Sequence, residues 1–247
     1  LLLLVSLVTC GALRCTTNCS FSYDNTHAFQ FPDTCNHIVS AGKCSAMLSF
    51  MFESNEYWLN LFADPNTSIY VSNNQRRGKL QLVSASRVYL SHFVDIACKD
   101  KDDCARDLAI KIAAELSQRR YNFSQLVYEL APLIREPSNP QLDCFDGKQK
   151  EQRCATLSNS GTCLLTSKVG SNKMTSSCES TAYLPEVSIS MYQDSNTATF
   201  DIRCNRNLCN TQSTLRATKD ILFRYNVTQT PDGRLSGCSL HVSVSLI

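Results

Sequence analysis

Cys204 and Cys209 stand with four residues between them in FDIRCNRNLCN (200–210), and the second is followed by Asn210. Such a pair can ligate a metal, cycle between thiol and disulfide, or staple the end of a small β-domain. A zinc site needs two further ligands. The chain has four histidines, His27, His37, His92 and His241, and none forms a short-spaced pair. A redox motif normally has two intervening residues and a helix start that lowers the thiol pKa, and this segment has neither. A structural disulfide is the chemistry that remains.

Other reactive constellations are equally sparse. The sequence contains no Gly-x-Ser-x-Gly, no His-Glu-x-x-His, no phosphate-binding glycine loop and no dinucleotide fingerprint, and it holds only 8 glycines. His37 and His92 are the residues to test for general acid–base chemistry. Asp100, Asp102 and Asp103 could face a calcium ion, but Lys99 and Lys101 alternate with them, so the run reads as a solvated loop. No catalytic, cofactor-binding or metal-binding residue is therefore assigned. Basic and acidic residues number 24 and 22, a net charge of +2, and nothing argues for a nucleic-acid partner.

The cysteines also indicate a compartment. The apolar run LLLLVSLV (1–8) reads as the tail of a secretory signal peptide ending at residue 12, with cleavage before Leu13. The 14 cysteines then imply an oxidising environment. Glycosylation sequons at Asn18, Asn66, Asn122 and Asn226 agree, and they predict exposure of those asparagines. The expected location is secreted, or on the outer face of the plasma membrane through an anchor beyond Ile247. Cys238 is odd in number and could link two chains.

Elements that position the cysteines follow from periodicity. A seam at 136–141, rich in proline, separates a disulfide-rich β-meander module (13–135) from a second module (142–247). Cys15, Cys19, Cys35, Cys44, Cys98 and Cys104 precede it; Cys144, Cys154, Cys163, Cys178, Cys204 and Cys209 follow it. Each half runs four cysteines, a gap, a close pair and then a helical pattern, the order expected of a diverged tandem repeat. Ala46, Leu48, Phe50 and Phe52 alternate as a strand, 57–63 as another, and 79–83 as a third after a polar loop holding Gly78. Val187, Ile189 and Met191 and then Ala198, Phe200 and Ile202 alternate around a turn at 194–196. Trp58 is expected in the core. Ala105, Leu108, Ala109, Ile112 and Leu116 repeat at helical spacing. Ser124 would cap a short helix that Pro132 ends, and Leu215, Ile221, Leu222 and Tyr225 suggest a third, each helix lying on its own sheet. The fold class is mostly β with short helices (α+β), two antiparallel β modules each followed by a helix.

A β-hairpin running into Cys204-x4-Cys209-Asn210, after four spaced cysteines, resembles the three-finger superfamily of snake toxins and of lymphocyte-antigen-6 and urokinase-receptor domains. The similarity covers 142–210, with a weaker similar module at 15–105, where Ala105 stands in place of the asparagine. The resemblance implies bonds Cys144–Cys163, Cys154–Cys178 and Cys204–Cys209, and a role for Asn210 in tying loop to palm. It leaves the pairing of Cys15, Cys19, Cys35 and Cys44 open.

The expected function is non-enzymatic: recognition of an extracellular protein partner through loops on disulfide-stapled modules. The alternatives are a secreted hydrolase with a non-contiguous site and a structural matrix or coat component.

Overall fold

Alternating side chains in 44–62 form a two-stranded unit, because a strand turns every second residue to one face. In the computed structural model, β4 (Cys44–Met51) and β5 (Glu56–Phe62) bury Ala46, Leu48, Phe50, Tyr57, Leu59 and Leu61 on one face. The structure describes residues 12–24, 29–63, 75–84, 86–136, 141–154, 161–169, 173–192 and 197–235. Before this unit come β1 (Leu13–Thr16), β2 (Cys19–Asp24) and β3 (Ile38–Ala41). After it, β6 (Gln75–Leu82) and β7 (Val88–Cys98) form a second hairpin, then α1 (Cys104–Ser117) and α2 (Phe123–Ile134). The second half holds β8 (Asp143–Phe145), β9 (Glu151–Arg153), β10 (Thr162–Lys168), β11 (Met174–Glu179), β12 (Glu186–Tyr192), β13 (Thr197–Cys204) and α3 (Gln212–Arg224).

Nine strands make one antiparallel sheet in the order β11-β10-β13-β12-β6-β7-β4-β5-β2. From the β12–β6 join the order reads alike in both directions, hairpin β12–β13 answering β6–β7 and hairpin β10–β11 answering β4–β5. The join itself shares this symmetry. Arg77 sits opposite Ser190, with Gly78 opposite Ile189 and Arg76 opposite Met191 on either side. Pairing like strands antiparallel turns the halves end for end. The β4–β5 and β6–β7 turns therefore leave the sheet near Pro185, which accepts from the Leu82 N–H at 2.8 Å. Tyr192 and Thr197, where β12 and β13 meet, lie beside Gln75 at the opposite end.

Burial on the helix-bearing face explains most of the packing. Helix α1 turns Ala105, Ala109, Ile112, Ala113 and Leu116 onto β4 and β7. Helix α2 does not lie on the sheet of its own half. It packs against α3 and β13 through Leu126, Val127, Leu130 and Ile134, and Glu129 meets Arg224 at 2.7 Å and the Tyr225 hydroxyl at 2.5 Å. Its N-cap is Asn122, which accepts from the Gln125 N–H at 3.1 Å, so Ser124 is not the cap. Pro132 does not end α2 but lies within its last turn, where it donates no hydrogen bond to the preceding turn.

Two further expectations are corrected. Trp58 faces out, 53% exposed, because Tyr57, Leu59 and Leu61 take the inward positions of β5. Gly78 lies inside β6 rather than in a loop, where a Cβ would come 2.9 Å from Leu235 Cδ2. Leu235 crosses the β6–β12 join from the end of the second half, its N–H 3.1 Å from Met191 Sδ.

Candidate functional site

The cysteines meet in two clusters, one in each half. In the first, Cys15 bonds Cys44, Cys19 bonds Cys35 and Cys98 bonds Cys104. In the second, Cys144 bonds Cys163, Cys154 bonds Cys178 and Cys204 bonds Cys209. No bond among the described cysteines runs between the clusters. Cys44 stands opposite Cys98 across β4 and β7, and Cys163 stands opposite Cys204 across β10 and β13. Closing such loops removes about 3–4 kcal/mol of chain entropy from the unfolded state for each long bridge. Cys98, Asp100 and Cys104 bring ligand atoms within 4.8 Å of one another, but both sulfurs are already joined, so they offer no thiolate to a metal.

Around the close pairs the two clusters use the same backbone geometry. Asp103 and Leu208 precede the second cysteine of each pair, and both have positive φ, 51° and 54°. The Asp103 N–H donates to Arg14 O at 2.8 Å, and the Leu208 N–H to Asp143 O at 2.7 Å. Asp102 accepts from the Arg14 N–H at 3.0 Å as Asn207 does from the Asp143 N–H at 2.9 Å. In the second half Asn210 completes the clamp. It is fully buried, accepts from the Phe145 N–H at 2.9 Å, and donates to Phe145 O, Leu164 O and Ser177 O at 2.9–3.3 Å. The first half has Ala105 at the corresponding place, and Asp103 takes over, accepting from the Thr16 N–H and hydroxyl at 2.7 Å each. The acidic run is thus part of the scaffold, not simply a solvated loop. The positions of Asp102 and Asp103 just before a cysteine were the available signal.

The two candidate histidines do not meet. His37 is exposed between Cys35 and β3. His92 is buried on the inner face of β7 beside Phe52 and Gly78, and its Nε2 has no hydrogen-bond partner. Burial, then the positive charges of Arg119 and Arg76, lower its pKa from 6.5 to about 3. Asn18, Asn122 and Asn226 are exposed. Residues 1–11, Asn66, the centre of the seam at 137–140, the turn at 194–196 and Cys238 lie outside the described residues. No described helix is long and apolar enough to cross a membrane.

Two features had no separate signal in the sequence, since each joins residues from both halves. On the outer face of the β6–β12 join, buried Glu186 receives Lys79 Nζ at 2.8 Å and Arg203 Nη1 at 2.6 Å. Arg203 also holds Glu179 at 2.9 Å, and that hydrogen bond leads the interactions raising the guanidinium pKa further. On the helical side, a cleft of about 390 Å³ opens between the end of α1 and the chain after α3. Models of known protein families and characterised proteins give no match to this chain, so the reading of both features rests on their geometry alone.

Proposed function

We propose that this chain is an extracellular, non-enzymatic binding protein that recognises a protein partner through loops on two disulfide-stapled, three-finger-like modules. The observation that carries this reading is the end-for-end sheet. Six disulfides and a continuous ladder hold the strands, so the hairpin turns are free of the load and can vary for recognition. The first-half turns leave together at one end, where Arg87 Nε meets Glu53 Oε1 at 3.3 Å across them. The second-half hairpin β12–β13 closes at the other end. The matching clamps and palindromic strand order support a tandem repeat, although the first half joins its four early cysteines outer-to-outer and inner-to-inner, unlike the second. The disulfides fit an extracellular location.

The test is binding of the secreted chain to a panel of cell-surface and secreted ectodomains. Saturable binding to one of them, weakened at least tenfold by Glu53→Ser with Arg87→Ser while Tm is kept, supports the reading. Binding that ignores changes at both ends of the sheet, or hydrolytic activity that is lost in His37→Ala, sinks it.

A further inference from the structure

Helix α3 ends in a motif that fixes one of the sequon asparagines. The Val227 N–H donates to Leu222 O at 2.9 Å and the Asn226 N–H to Phe223 O at 3.0 Å. Asn226 has φ 57°, the left-handed conformation this helix ending requires after its cap. Val227 and Leu222 are both buried, which anchors the turn. Asn226 is exposed, three residues after Phe223, itself 38% exposed.

The same two residues line the cleft between the halves. One wall is Phe223, Asn226 and Gln229 of the second half; the other is Arg119, Arg120 and Tyr121 of the first. Its volume, about 390 Å³, lies at the small end of sites that hold small organic ligands, about 300–1,000 Å³. Its chemistry is mixed in the way a sugar needs: an aromatic face for the C–H side of a pyranose, and amide and guanidinium groups for hydroxyls and an acetamido carbonyl. The asparagine at its edge is the attachment atom's own residue, so the occupant is already tethered at high effective concentration.

We propose that this cleft binds the first N-acetylglucosamine of an N-glycan attached at Asn226, which stacks on Phe223 and bridges the two halves. Thr228, the third sequon residue, is buried, with its hydroxyl donating to Thr230 O at 3.2 Å. This is no obstacle, because glycan transfer precedes folding. The glycan is thereby a structural part of the junction, independent of what the loops bind.

The test uses the full chain secreted from a eukaryotic cell. Peptide mass spectrometry reads occupancy at Asn226, and Tm is measured for the parent, Asn226→Gly, Phe223→Ser and the double variant. Glycine suits the left-handed position, so losing the sugar is the main change. The expected result is an occupied Asn226, a fall in Tm of about 2–4 °C in Asn226→Gly, and no such fall when Phe223 is already serine. Arg120→Ala provides a second background with the same expectation. Trimming glycans back to the first N-acetylglucosamine should leave Tm in place. An unoccupied Asn226, an equal effect of Asn226→Gly in all backgrounds, or a Tm lost on trimming overturns the proposal.

Discussion

At the scale of single residues, Asn210 satisfies four backbone groups from three segments with one side chain. Replacing it by alanine strands those groups in a buried site, and each unmet group costs about 1–3 kcal/mol. Asn210→Ala should therefore lower stability by at least about 3 kcal/mol in denaturant unfolding, while Asn207→Ala, which removes one bond to the Asp143 N–H, costs about 1 kcal/mol. His92 contributes in the opposite sense. Its folded pKa of about 3 lies below the unfolded value of 6.5, so the unfolded chain binds the extra proton between those limits. The stability of the neutral form is whole above pH 6.5 and declines as pH falls towards 3, with a limiting slope of about 1.4 kcal/mol per pH unit. His92→Leu should flatten Tm against pH across that window. A chain whose acid sensitivity there is unchanged by the substitution would contradict the buried, neutral imidazole. Trp58 offers a simple check of facing: native fluorescence should be that of a solvated indole, quenched by acrylamide without unfolding.

At the scale of elements, the β6–β12 pair is where the two halves become one sheet. Its backbone ladder is assisted by a buried carboxylate with partners from both halves. Removing one partner of a buried ionic group leaves the others uncompensated. Glu186→Gln should lower stability by about 2 kcal/mol, with most of the loss shared with Arg203 in a double-mutant cycle. Lys79→Ala should cost less than about 1 kcal/mol, since the lysine side chain is 42% exposed and its charge is screened by solvent. The same reasoning explains α2. Its apolar stripe had to be covered, and β13 with α3 cover it, so a helix encoded before the seam belongs in space to the half encoded after it.

At the scale of the whole molecule, covalent and non-covalent organisation divide the chain differently. The described disulfides stay within each half, but strands, α2 and Leu235 cross between them. A protease site placed at 137–140 and cut in the folded protein should leave two pieces that co-elute under native conditions and separate in denaturant without reductant. Independent elution in native buffer would mean that the shared sheet does not hold the halves together.

Much of this was legible along the chain because it depends on near neighbours. Alternation marked β4, β5, β12 and β13, helical spacing marked α1 and α3, and cysteine order marked the close pairs. Proline and capping rules erred at α2, where tertiary packing outweighed a single missing hydrogen bond. Alternation could not say which side of a strand would be covered, and so misplaced Trp58. The joining of β6 to β12, the charges around Glu186 and the cleft beside Asn226 came only with tertiary structure. Each brings in residues roughly a hundred positions apart, Lys79 with Glu186 among them, and edge-strand backbone groups, which carry no side-chain signature, chose one another as partners.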